Sequence, residues 1–123
     1  MKPVMTVDKD GTKIWKLNGE LHREDGPAVE LMDGTKHWYI NGKLHREDGP
    51  AVEDSSGVKF WYMNDKHHRE DGPACEYPDG SIFWYTNNEF ITERVDKDIK
   101  DGILKPYSEW TEFDRIKFKL KYL

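Results

Sequence analysis

Leu21-His22-Arg23-Glu24-Asp25-Gly26-Pro27-Ala28-Val29-Glu30 recurs unchanged from Leu44 to Glu53, and again from His67 to Glu76 with His67 in place of Leu and Cys75 in place of Val. The step is 23 residues each time. The same step relates Trp15, Trp38, Trp61 and Trp84, and the pairs Asn18-Gly19, Asn41-Gly42, Asn64-Asp65 and Asn87-Asn88. Gly11, Gly34, Gly57 and Gly80 form a further column. Self-similarity at one fixed period marks a tandem array, in which a single unit cannot bury its own apolar face and must stack on its neighbours. By register, Val4 to Gly11 is the tail half of a unit, and Asn87 to Ile91 begins one that is not finished. The reading is a repeat array over residues 1–90, three full units with partial ends, followed by a cap of different character over 91–123.

Each unit reads as a β-hairpin. Lys36-His37-Trp38-Tyr39-Ile40 is rich in aromatic and β-branched types, and it stops at Asn41-Gly42, the pair that best tolerates the positive φ angles of a type I′ turn. A short strand, Lys43 to Arg46, follows. Glu47-Asp48-Gly49-Pro50 must then turn the chain, since proline cannot donate to a central ladder. Ala51 to Glu53 is a third short strand, and Ser55-Ser56-Gly57 leads to the next Trp strand. The expected fold class is mainly β.

Alternation splits each Trp strand between two faces. Trp15, Trp38, Trp61 and Trp84 share one with Leu17, Ile40, Met63 and Thr86. The other carries Ile14, His37, Phe60 and Phe83 together with Lys16, Tyr39, Tyr62 and Tyr85. The Trp column reads as core between repeats. The Tyr column divides between core and binding surface, because a tyrosine's polar tip suits a wet surface. The sheet is therefore expected to be curled or covered on one side and to present an aromatic ladder on the other.

Composition agrees with a thin fold. Charged residues make up 35% of the chain, against an ordinary share of about 25%, yet five Trp, six Tyr and five Phe are far too many for a disordered polyelectrolyte. The single cysteine, Cys75, stands where earlier units have Val29 and Val52, and reads as a small buried hydrophobe. It excludes an internal disulfide and a cysteine-rich zinc site. No apolar run approaches the ~20 residues of a membrane span, and MKPVMTVDKDG lacks the apolar stretch of a signal peptide. A soluble cytoplasmic protein without cofactor is expected.

The aromatic strand, Asn41-Gly42-Lys43, the nearby His45 and Asp33-Gly34 together resemble the MORN repeat family and its variants, over roughly Val4 to Ile91. The HREDGPA form, longer than the plain MORN turn, is similar to repeat proteins common in tailed bacteriophages and their hosts. The resemblance implies an elongated antiparallel sheet of successive hairpins, with a three-sided β-solenoid as the alternative.

Beyond Ile91 the pattern changes, as an array needs to avoid an open edge. Ile91, Val95 and Ile99 follow helical spacing, with Thr92 as N-cap, Glu93/Lys97 and Asp96/Lys100 as ion pairs and Gly102 as the stop. A second helix, capped by Ser108, would bury Trp110, Phe113, Ile116, Leu120 and Leu123. Arg115 to Tyr122 also alternates as an edge strand would, and helix is the favoured reading.

His-Arg-Glu-Asp invites a catalytic or metal-site reading. In a hairpin array, however, each repeat advances two strands of ~4.8 Å, which keeps His22, His45 and His68 too far apart to share one zinc ion. Asp25, Asp48 and Asp71 are instead expected to accept backbone N–H groups in the turn, with the Arg and Glu residues pairing between units. Three near-identical copies suit binding better than an active site, which needs one asymmetric constellation. No enzymatic activity and no metal are expected.

Residues 1–90 hold 11 Lys and Arg against 17 Asp and Glu, a net of −6, while 91–123 hold 8 against 7. An acidic array is unsuited to duplex nucleic acid. It suits a basic protein groove, including one that normally holds nucleic acid. The binding candidates are the ladder Tyr39, Tyr62 and Tyr85 with His37, the ladder Arg23, Arg46 and Arg69, and the ladder Glu24, Glu47 and Glu70. With the phage-like resemblance, the expectation becomes a small inhibitor of a host defence enzyme, a nuclease or CRISPR effector, acting in the host cytoplasm. The alternative is a small-ligand or nucleotide binder, with bases stacked on the tyrosines and phosphates met by the arginines.

Overall fold

The structure is a computed structural model that describes residues 1–123. Its organising feature is the position opposite each Trp. Across the Asn41-Gly42 turn, Ile40 pairs with Lys43 and Tyr39 with Leu44. Further back on the same strand, His37 pairs with Val52 and Lys36 with Glu53. Trp38 stands between the two ladders: its carbonyl accepts the N–H of His45 at 3.0 Å and its own N–H donates to Ala51 at 2.7 Å. The strands expected at Lys43–Arg46 and Ala51–Glu53 are thus two halves of one return strand, and Arg46 to Pro50 leave the ladder as an excursion. Trp15 (with His22 and Ala28) and Trp61 (with His68 and Ala74) repeat the arrangement.

The strands Val4–Val7, Lys13–Leu17, Val29–Glu30, Lys36–His37, Val52–Glu53, Lys59–Phe60, Cys75–Glu76 and Ile82–Phe83 follow one another in a single antiparallel sheet. The hairpin tips form short ladders beside it. Neighbouring tips are tied by bonds such as Arg23 N–H to the Tyr39 carbonyl at 3.1 Å and Gly42 N–H to the Leu21 carbonyl at 2.8 Å. The fold is mainly β, a sheet of tandem hairpins with no closed barrel. Two antiparallel strands per repeat separate equivalent residues, which excludes the stacked, parallel geometry of the solenoid. Along the Trp face, Lys13, Glu30, Lys36, Glu53, Lys59 and Glu76 are successive cross-strand neighbours, so opposite charges alternate down the array.

The turns are as the residue types demand. Asn41 and Gly42 have φ of 49° and 78°, the positive pair of a type I′ turn, and the other three hairpin turns repeat it. The excursion glycine answers a different need. A Cβ on Gly49 would lie 2.7 Å from Cζ of Arg46, so only glycine lets the guanidinium fold over the turn.

The array's own interior is small: Ala28, Ala51 and Ala74 are fully buried. The thick core lies at the C-terminal end, where Trp84, Ile91, Val95, Leu104, Trp110 and Phe118 pack together. Helix α1 (Thr92–Lys100) and helix α2 (Glu112–Tyr122), joined through a short 3-10 turn at Tyr107–Glu109, supply Val95 and Phe118, and the segments flanking them supply Ile91, Leu104 and Trp110. Ile91 N–H bonds the Trp84 carbonyl as His68 does that of Trp61, and α1 then starts where an excursion would. Gly102, at φ 77°, follows its end as expected.

Three details of the cap differ from expectation. Thr92 does not cap α1, because its hydroxyl is held by the Trp84 backbone. Thr111, not Ser108, caps α2, in a reciprocal capping box with Asp114, which outcompetes a serine inside the 3-10 turn. Of the expected stripe only Trp110 is buried. Phe113 and Leu120 are 69% and 82% exposed, and α2 turns Phe118 inward instead. Its orientation follows from ring packing of Phe118 on Trp84 and Trp110, at centroid distances of 5.2 and 5.6 Å. The ion pairs formed are Lys97–Asp101, Lys121–Asp98 and Arg94–Glu89, in place of those expected within α1. No helix is long and apolar enough to cross a membrane.

Candidate binding surfaces on the two faces of the sheet

On the Trp face, each excursion is a clamp closed by its own arginine. Arg46 lies with Cζ 3.9 Å above the Trp38 ring, donates from Nε to Asp48 at 3.0 Å and from Nη1 to the Pro50 carbonyl at 3.1 Å, and approaches Glu53 at 3.4 Å. Arg23 on Trp15 and Arg69 on Trp61 repeat this geometry. Two expectations are corrected here. The aspartates take the arginine N–H groups, not backbone ones, and the arginines pair within their own unit. The planar guanidinium can meet a ring, a carboxylate and a carbonyl at once, and that combination outweighs pairing across units.

The histidine joins one unit to the next. His22 Nδ1 accepts the N–H of Asn41 at 3.0 Å, His45 that of Asn64 at 3.1 Å, and His68 that of Asn87 at 3.0 Å. A donor at Nδ1 places the ring hydrogen on Nε2, which faces Glu24, Glu47 and Glu70 at 3.7, 3.6 and 3.6 Å. Asn41, Asn64 and Asn87, at positive φ, therefore each have their amide satisfied by the preceding repeat. No three His, Cys, Asp or Glu side chains gather at a metal-binding distance.

Between successive excursions the Trp face is grooved. One groove of about 450 Å³ has Trp38 and Ile40 as its floor, with Arg23 and Glu24 on one wall and His45 to Asp48 on the other. A second of about 640 Å³ lies on Trp61 and Met63, between Arg46–Pro50 and His68–Asp71, with Lys119 of α2 at its rim.

The opposite face carries the tyrosines, and it is uncovered. Tyr62 pairs across its hairpin with His67, and their rings lie 4.2 Å apart, with the Tyr62 hydroxyl 2.9 Å from His67 Nε2. His67 stacks on Tyr85 at 4.9 Å. Phe60 meets His67 and Tyr77, Tyr77 meets Phe83, and Phe83 and Tyr85 meet Phe90. His37 and Tyr39, 6.5 Å apart, form a separate pair on the same face, and within the strip Tyr77, Phe83 and Phe90 are 37%, 36% and 48% exposed. Partial burial holds His37 and His67 below the ordinary histidine range and raises the Tyr39 and Tyr62 phenols. Cys75 sits beneath the strip, its sulfur 3.8 Å from His67 Nδ1, and burial pushes its thiol up to about 11. It is a packed hydrophobe there and not an activated nucleophile.

No family model, curated protein or solved structure matches this chain.

The geometry thus sorts the candidate residues into two separate sets. Tyr39, Tyr62, Tyr85 and His37 share the face of the aromatic strip, Tyr62 and Tyr85 as members of it, while Arg23, Arg46, Arg69, Glu24, Glu47 and Glu70 belong to the Trp face. Residues next to each other in a strand point oppositely, so Tyr39 and the arginine clamped on Trp38 lie on opposite sides of one sheet. No single nucleotide can stack on the tyrosines and present its phosphates to those arginines. Phe60, His67, Phe83 and Phe90 are members of the strip that a list drawn from the Tyr column omits. The two-residue turn already pairs Tyr62 with His67, so that contact was legible in the sequence. Tyr77 enters from a loop, and no periodicity marks it.

Proposed function

We propose that this chain is a non-enzymatic protein-binding repeat module that engages its partner with the aromatic strip from Phe60 to Phe90, on the face that also carries His37 and Tyr39. One observation carries this reading: a continuous run of ring-on-ring contacts from Phe60 to Phe90, drawn from two successive units, is left without a covering layer. An uncovered apolar patch of this kind marks an interaction site, and aromatic side chains dominate the energetics of such interfaces. The array around it carries a net charge of −6, which favours a partner with a basic surface and fast, salt-sensitive association. The finer reading draws on the resemblance to phage repeat proteins: the partner is the basic nucleic-acid groove of a host defence enzyme, and occupancy inhibits it.

The test is affinity capture from host lysate with the full chain and with a Tyr62→Lys/Phe83→Lys variant. A partner retained at low salt by the parent and lost by the variant, with the variant's thermal unfolding preserved, is the expected result. Equal capture by both proteins, or capture of no stable protein, rejects the reading. Loss of a captured nuclease's activity on addition of the chain tests the inhibitory step.

A further inference from the structure

Trp38, Trp61 and Trp84, the three column tryptophans that follow an excursion, carry equivalent grooves, and the protein fills the last of them itself. Each groove is bounded on its leading side by the excursion of the preceding unit and floored by its own tryptophan. At Trp84 the leading wall is Arg69 with Gly72, and Tyr107 of the cap occupies the space. Its ring stands edge-on to Trp84 at 5.5 Å and 89°, lies 5.9 Å from the Arg69 guanidinium, and sets its hydroxyl oxygen 2.7 Å from where a Cβ on Gly72 would be. At Trp61 the same wall is Arg46 with Gly49, and the space is empty. At Trp38 it is Arg23, and again the groove is open. Trp84 is fully buried, whereas Trp38 and Trp61 are only partly buried.

We propose that the grooves on Trp38 and Trp61 are binding sites for aromatic side chains of an extended, basic segment of a protein partner, with Tyr107 as the intramolecular version of that ligand. Pro106, immediately before Tyr107, has φ −54° and ψ 141°, the polyproline II conformation, and Tyr107 then opens the 3-10 turn; the extended form of the occupant follows from the spacing of the grooves. Successive grooves are two strands, about 10 Å, apart. Three residues of polyproline II advance about 9 Å and return to the same side, so aromatics spaced i, i+3 reach both grooves. The charge of the segment follows from the rims. Arg46 and Arg69 are each held by an aspartate at 3.0 Å, whereas Glu47 and Glu70 meet only a histidine Nε2 at 3.6 Å and are 79% and 60% exposed. Lys119 sets one cation at the Trp61 rim against the two carboxylates of Glu47 and Glu70, and lysine or arginine between the aromatics answers the negative charge that remains. This site lies on the face opposite the aromatic strip, so the two readings fail independently.

The probe is a synthetic Lys-Pro-Tyr-Lys-Pro-Tyr-Lys peptide titrated into the ¹⁵N-labelled full chain, with each tryptophan indole N–H as a site-resolved signal. The expected result is saturable shifts at Trp38 and Trp61 with none at Trp84. A Tyr→Ser peptide should bind at least about tenfold more weakly, and Glu47→Lys/Glu70→Lys should weaken the parent peptide. In Tyr107→Ala, the peptide should additionally shift Trp84. Non-saturating shifts, equal binding of the serine peptide, or shifts confined to the aromatic strip would overturn the proposal. Should Tyr107→Ala loosen the cap, the parent titration decides by itself.

Discussion

The Thr92 hydroxyl accepts the backbone N–H of Trp84 at 2.8 Å, in the place where the Ala74 carbonyl accepts that of Trp61. A side chain thereby stands in for the return strand that the last unit lacks, and the final Trp strand is closed without another repeat. Thr92→Val keeps the shape and leaves a buried N–H unpaired, which costs about 1–3 kcal/mol. Thr92→Ser should retain most of the stability. Denaturant midpoints of the two variants check this, and an unaltered midpoint for the valine variant would reject the role.

The arginine clamp should not tolerate lysine. Arg46→Lys keeps the charge but cannot meet the Trp38 ring, Asp48 and the Pro50 carbonyl together. A loss of about 1–3 kcal/mol is expected, measured by urea unfolding, with Arg46→Ala no more than slightly worse.

In the cap, Phe118→Ala should cost about 3–5 kcal/mol, because its ring is fully enclosed. Leu120→Ala, on the exposed side of α2, should change stability by no more than about 0.5 kcal/mol. Had the expected stripe been the buried one, the order would be reversed, so thermal unfolding of the pair discriminates directly.

Burial depresses His67 in the folded protein, so the unfolded chain takes up the proton more readily. The contribution of His67 is present above the unfolded value of about 6.5 and is lost as pH falls through the lower folded value. Stability should therefore decline on acidification below about pH 6.5. His67→Leu, the residue type of the two earlier units, should flatten part of that slope, with the share due to His37 remaining. The readout is the pH dependence of the unfolding free energy, and an unchanged slope would count against burial as the cause.

Cys75 should be inert while the protein is folded. Raising the thiol from 9.0 to about 11 makes thiolate about a hundredfold scarcer at pH 8, since it is the thiolate that reacts. Alkylation should be slower than in denaturant by at least that factor. Comparable rates in the two conditions would show that the sulfur is accessible.

The repeat period, the type I′ turns and the division of Trp and Tyr between two faces were legible in the sequence, because each is a local consequence of residue type and strand alternation. Asn41-Gly42 specifies its turn, and the turn specifies that Tyr39 opposes Leu44. The chemistry of His-Arg-Glu-Asp was legible only in part. The sequence places these residues in a turn, but not that Arg46 reaches back onto Trp38, or that His45 serves the Asn64 amide 19 residues on.

The linear chain therefore determined the β class and the number of units. Only the tertiary structure decided that Arg46 to Pro50 leave a return strand that resumes at Ala51, that α2 buries Phe118 in place of Phe113 and Leu120, and that Tyr107 fills the last groove. The physical reason is that strand register follows from nearest neighbours, whereas the side a helix presents and the groove a ring enters depend on surfaces assembled from distant parts of the chain. The tyrosine and arginine ladders share one repeat in sequence, and the sheet lies between them.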